Sequence, residues 1–116
     1  MTDVVFEFYR GDTYERDFKI SNLKREITKV YFTVKETEEC KNACLQKSLN
    51  NGIVVVDEDE TSKTFNLLIN ATDTDNMKVN TAYSFDIEIH CGDIKKTIVT
   101  GTLMLKPSCT RTCNEC

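Results

Sequence analysis

The sequence predicts an all-β chain: an antiparallel immunoglobulin-like β-sandwich of about seven to nine short strands with one short helical turn. Three observations predict it. Apolar residues recur with a period of two along most of the chain, and that period belongs to strands whose side chains alternate between two faces. Turn-forming residues separate the alternating stretches. No stretch carries the period of a long amphipathic helix.

The opening strand sets Val4, Phe6 and Phe8 against Val5, Glu7 and Tyr9. Tyr14, Phe18 and Ile20 then alternate with Glu15, Asp17 and Lys19. Val30, Phe32 and Val34 alternate with Tyr31, Thr33 and Lys35. Short apolar runs at residues 45–49 and 53–56 flank Asn50-Asn51-Gly52. Asn and Gly accept positive φ at little cost, so this reads as a tight hairpin. Phe65, Leu67 and Ile69 continue the alternation, with Leu68 out of phase. Residues 71–79 break the period; Thr72 or Asp73 as N-cap predicts one helical turn there. The clearest alternation is at residues 81–90, where Tyr83, Phe85, Ile87 and Ile89 oppose Ser84, Asp86, Glu88 and His90. In the last run, residues 94–105, the apolar phase slips from Ile94/Ile98 to Leu103/Leu105, which predicts a bulge near Gly101. Residues 1–106 therefore form one domain, and residues 107–116 a cysteine-rich tail without apolar periodicity.

The chain's 116 residues suffice for one domain with its own core. A hydrophobic share of 40% and a charged share of 29% suit a globular protein and exclude collagen-like or disordered classes. The net charge of −4, with lysines and acids interspersed, argues against a dedicated nucleic-acid binder. No apolar run is long enough for a membrane-spanning helix. The first residues carry neither the basic nor the apolar region of a leader, so none is expected.

Six cysteines are the compositional oddity. Cys40 and Cys44 stand four apart, and Cys109, Cys113 and Cys116 crowd the C-terminus. Thiolates so spaced are candidate ligands for a shared zinc, candidate disulfide partners, or plain reduced thiols, and the spacing alone leaves all three open. Cys91 falls in phase with the apolar face of its strand and reads as a small core residue. The single histidine, His90, is its neighbour, but adjacent strand residues point to opposite faces, so no Cys–His nucleophile is expected.

The acidic run Asp57-Glu58-Asp59-Glu60 lacks the turn glycine of a calcium loop and reads as a solvated hairpin end. Asp73-Thr74-Asp75-Asn76 fails the same test. Arg10-Gly11-Asp12 has the form of an integrin-binding tripeptide, and reads more simply as a turn. Asn70-Ala71-Thr72 is a glycosylation sequon in form. The sequence carries no phosphate-cradling loop and no Ser/His/Asp set, so a non-enzymatic binding or assembly module is expected.

An ordered series of short segments resembles a known family. It runs from Arg10-Gly11-Asp12-Thr13-Tyr14 and Phe18-Lys19-Ile20 to Val30-Tyr31-Phe32-Thr33-Val34-Lys35. Leu45-Gln46-Lys47, Gly52-Ile53 and Ala71-Thr72-Asp73-Thr74 follow. It closes with Tyr83-Ser84-Phe85-Asp86-Ile87-Glu88 and Lys96-Thr97-Ile98-Val99-Thr100-Gly101-Thr102. Across residues 5–106 this resembles the N-terminal domain of phage baseplate upper proteins. The resemblance implies a β-sandwich that serves in a tail, baseplate, neck or head, with other virion proteins as partners. It also implies repetition in a symmetric particle, synthesis in the bacterial cytoplasm, and no catalytic residue. The cysteine clusters lie outside the pattern. Val5, Tyr9 and Tyr31, opposite the apolar faces of their strands, are the candidate partner contacts. The reading from another class is an extracellular immunoglobulin-like adhesion domain using the Arg10–Asp12 turn and disulfides; a third is a zinc-clipped binding module.

Overall fold

A computed structural model describes residues 3–21, 25–37 and 43–107. Nearly all regular structure is β. The strands are β1 (Asp3–Tyr9), β2 (Tyr14–Ile20), β3 (Lys29–Lys35), β4 (Leu45–Leu49), β5 (Gly52–Glu58), β6 (Lys63–Ile69), β7 (Ala82–Cys91) and β8 (Ile94–Lys106). They follow one hydrogen-bonded order, β1-β8-β7-β3-β4-β5-β6-β2. Every long alternating stretch of the sequence is a strand, and in β3, β6 and β7 its apolar set is buried. Val30, Phe32 and Val34 of β3 are fully buried, as are Leu67 and Ile69 of β6. Tyr83, Phe85, Ile87 and Ile89 of β7 are buried beside them.

The pairing is antiparallel except at two joints. β1 runs parallel to β8, from Asp3↔Thr100 to Tyr9↔Lys106. β4 and β5 touch in parallel over two pairs only, Ser48↔Gly52 and Leu49↔Ile53. The hairpin expected at Asn50-Asn51-Gly52 is thus corrected. The three residues do supply positive φ, at Asn50 (67°) and Gly52 (97°). However, they make a tight step that hands the chain from β3's neighbour to β6's neighbour instead of folding it back on itself. Ser48 and Asn51 exchange backbone hydrogen bonds of 3.1 and 2.8 Å, and Asn50 N–H donates to Ile53 O at 2.7 Å.

The ends of the strand order meet through side chains. Phe6 of β1 stacks on Phe85 of β7 at 4.5 Å and reaches Tyr14 of β2 at 5.5 Å. Phe8 stacks on Tyr14 at 4.3 Å, and the Arg16 guanidinium lies 5.1 Å over the Phe6 ring. Rings and a cation therefore close the gap between β1 and β2, where no backbone ladder joins them among the described residues. The core lies between, and Cys91 packs against it from the end of β7 as expected.

The bulge in the last strand sits earlier than expected. β7 and β8 slip register between Ile87↔Val99 and Glu88↔Thr97, which makes Ile98 the extra residue. Gly101 has another reason: a Cβ there would strike the Val4 carbonyl and come within 2.7 Å of the Phe85 ring. The missing side chain lets β1 close on β8.

The helical turn is a 3-10 helix at Ala71–Thr74 with Asn70, not Thr72 or Asp73, as N-cap. Asp73 instead works from inside: its carboxylate accepts from the Asn70 N–H at 2.7 Å. The same carboxylate pairs at 2.7 Å with Lys47, a mostly buried lysine on the inward side of β4. The acidic run ends a hairpin, with Asp59 Oδ1 accepting from the Thr61 and Ser62 N–H groups at 2.9 Å each. Those bonds favour the charged form and hold the Asp59 carboxyl below its ordinary pKa.

Candidate binding face

The outward residues of β3, β4, β7 and β8 form one polar surface. Register places them in rows across the strands. Tyr31 lies beside Glu88 and Thr97, Thr33 beside Asp86 and Thr100, and Lys35 beside Ser84 and Thr102. β1 extends one of these rows, with Val5 beside Thr102. On the other flank Gln46 of β4 pairs with Thr33 and donates to its Oγ1 at 3.1 Å.

Two adjoining depressions of about 410 and 520 Å³ indent this face, sharing Thr33, Lys35 and Asp86. Asp86 is central to both. Partial burial pushes its carboxyl pKa up, the negative charge of Glu88 adds to the rise, and Lys35 partly offsets it. Glu88 is itself engaged by His90, with Oε1 and Nε2 2.6 Å apart. The His90 ring meets the Tyr31 ring edge-on at 5.2 Å. Tyr31, Glu88 and His90 thus order one end of the face, while Lys35, Asp86 and the threonines present a hydrogen-bonding middle. Such a surface offers hydrogen-bonding groups at positions fixed by the strand register.

The predicted partner-contact residues share this outward side but are spread over it. Val5 and Tyr9 on β1 are 60% and 49% exposed. Tyr31 is half-buried between Glu88 and His90 rather than projecting. Asp86, Glu88, Lys35 and Gln46 were legible only as the wet side of their strands. Alternation placed them outward, but only register shows that they adjoin.

His90 and Cys91 point to opposite sides, as expected from adjacent strand positions. Of the clustered cysteines, Cys44 is exposed just before β4. Cys40, Cys109, Cys113 and Cys116, and with them the tail at 108–116, lie outside the described residues. Among the described residues no group of three or more His, Cys, Asp or Glu side chains gathers as a metal site.

Arg10-Gly11-Asp12 is a turn between β1 and β2, as expected. Gly11 is buried with φ 86°, and its N–H donates to the fully buried Thr74 Oγ1 at 2.9 Å. Arg10 donates to the Met77 carbonyl at 3.4 Å. The tripeptide is tied to the 3-10 helix and its following loop instead of standing free.

No family model matches the chain, and no curated protein matches it. Among solved structures it is similar to an extracellular fragment, including the stalk region, of novel immune-type receptor 11 from Ictalurus punctatus. That similarity has 12% identity and a TM-score of 0.47, and it covers 93% of this chain and 88% of the receptor fragment.

Proposed function

We propose that this chain is a non-catalytic structural module of a bacteriophage virion. In this reading it binds other virion proteins through the outward face of β1, β8, β7, β3 and β4. The observation that carries the binding role is the continuous outward surface, on which Val5, Lys35, Asp86 and Gln46 are held by strands paired along their length. A surface so fixed loses little freedom when a partner docks. The phage assignment draws on the ordered sequence resemblance across residues 5–106.

In the same reading the strand order describes an immunoglobulin-like sandwich. One layer is β1-β8-β7-β3-β4 and the other β5-β6-β2, with the Asn50–Gly52 step as the crossing between them. In the same reading the cysteine clusters act as a zinc clip, a disulfide or free thiols.

The test is mass spectrometry of particles released by a lysogen that carries the gene. The chain should be present in many copies per particle. Its absence from the particle, or a genome neighbourhood without tail or capsid genes, would sink the virion role. Reversing Lys35 and Asp86 together should abolish incorporation without lowering the thermal midpoint. Native mass spectrometry with and without alkylation separates the thiol states: six alkylatable thiols and no added mass exclude both zinc and disulfides.

A further inference from the structure

Besides the margins of β1 and β2, which meet each other through side chains, and residues 45–47 of β4, two strand segments leave one backbone edge unpaired among the described residues, and they are opposite in charge. β5 is paired with β6 along its length but meets β4 only at Gly52 and Ile53. From Val54 onward its other edge is open, and Val54, Val55 and Val56 are 44%, 40% and 54% exposed. The acidic residues Asp57 and Glu58 end it. β8 is paired with β7 throughout, whereas its pairing with β1 begins only at Thr100. The outer edge of residues 94–97 is therefore open too. It carries the exposed Ile94, Lys95 and Lys96.

We infer that these two edges bind each other between copies of this chain, the β5 edge of one copy taking the β8 edge of the next. Unpaired strand edges are completed by another strand, and the backbone bonds need no particular sequence. Charge selects the pairing. Val56 is the bulged residue of β5, so antiparallel addition that sets Val55 against Thr97 brings Asp57 and Glu58 alongside Lys96 and Lys95. Two β8 edges would instead crowd four lysines, which disfavours the like-with-like dimer. Asp57, Lys95 and Lys96 take part in no ion pair among the described residues, so the pairing breaks none of theirs. Glu58 has one long contact of 4.0 Å with Lys63. A different surface is used on each copy, so the contact is heterologous and propagates into a ring or a row. The inference rests on the assembly role proposed above and gives it a partner, a second copy.

The experiment is sedimentation of the full chain in reducing buffer over a concentration series, at ionic strengths from about 0.05 to about 0.5 M. The wild type should associate, more weakly at high salt. Asp57→Lys and Lys95→Glu should each weaken association by about tenfold or more, since each sets like charges against each other. A mixture of the two single variants, and the double variant, should recover it. Unchanged circular dichroism of each variant keeps folding out of the comparison. A wild type that stays monomeric throughout overturns the inference, as does association that the single reversals leave intact or that the mixture does not restore. None of these outcomes bears on whether the chain is in the particle. Absence from the particle, conversely, would remove the virion role and leave the self-association result standing.

Discussion

β7 and β5 each join large apolar side chains to two acidic residues, yet they end in opposite surroundings. On β7 the four inward side chains are between 2% and 5% exposed. On β5 only Ile53 is buried, and the next three valines are 40% exposed or more. The difference lies in the neighbours. β7 is flanked by β3 and β8 along its length, and β5 by β6 along its length but by β4 over two residues. Hydrophobic composition offers a strand for burial, and the strands on either side decide whether burial happens. β7 thereby supports a polar face on its outer side, whereas β5 is left as an edge.

The largest expected effect is on the β7 side. Phe85 packs on Phe6 and Phe32 at 4.5 and 5.3 Å, which ties β1 and β3 to β7. Phe85→Ala should cost about 3–5 kcal/mol, because the ring leaves a cavity that these packed neighbours cannot fill. Urea denaturation measures it. A loss below about 1 kcal/mol would mean that β7 is no better packed than β5, and the contrast would fail.

The next effect concerns how β1 joins the β7 side. Gly101→Ala forces a methyl against the Val4 carbonyl and the Phe85 ring. Overpacking of this kind costs about 1–3 kcal/mol. Here the strain should fall on β1, since the backbone it strikes belongs to β1 and not to β7. Hydrogen exchange should quicken in β1 more than in β3. Equal loosening of the two would show that β1 is integral to the sheet rather than a strand added at its margin.

The same contrast explains what the sequence reveals. Alternation made the β3, β6 and β7 cores legible, because period two and burial coincide where a strand is covered. It also put Ser84, Asp86, Glu88 and His90 outward. It did not show that these residues lie beside Tyr31, Thr33 and Lys35, since β3 and β7 are distant in sequence and only their register joins them. Asn50-Asn51-Gly52 signals positive φ and a tight turn but not the direction of the strands around it, so a step between strands read as a hairpin. Gly101 read as a bulge for a related reason. Its requirement comes from Val4 and Phe85, which local pattern does not place there. On β5, three consecutive valines give no alternation, and the run itself shows neither the bulge at Val56 nor the missing second neighbour.

A smaller effect sharpens the polar side of β7. Burial and Glu88 hold the Asp86 pKa above its ordinary value. The folded state therefore binds this proton more tightly than the unfolded state, and ionising Asp86 works against the fold. That penalty is fully present above the raised pKa, fades as pH falls through it, and is absent below the ordinary value of 3.8. Asp86→Asn should thus raise the thermal midpoint near neutral pH, and solvent screening on this partly open face keeps the rise to roughly 1–3 °C. Near pH 3 the variant and the wild type should melt together. A variant that melts lower than the wild type at neutral pH would mean that the Asp86 charge is used within the fold, by Lys35, rather than held ready on the face.

The smallest effect is expected at the β5 edge. Val54 pairs with Asn66 and is nearly half exposed. Val54→Thr keeps the β-branched shape and adds a hydroxyl that water can satisfy, so stability should change by no more than about 0.5 kcal/mol. The same substitution in a covered strand, at Val30 or Val34, would strand the hydroxyl in the core and cost about 1–3 kcal/mol. Thermal melts at low protein concentration isolate the free chain from any self-association. If Val54→Thr costs as much there as the core substitution does, the β5 edge is covered within a single copy, and the difference between β5 and β7 is one of degree.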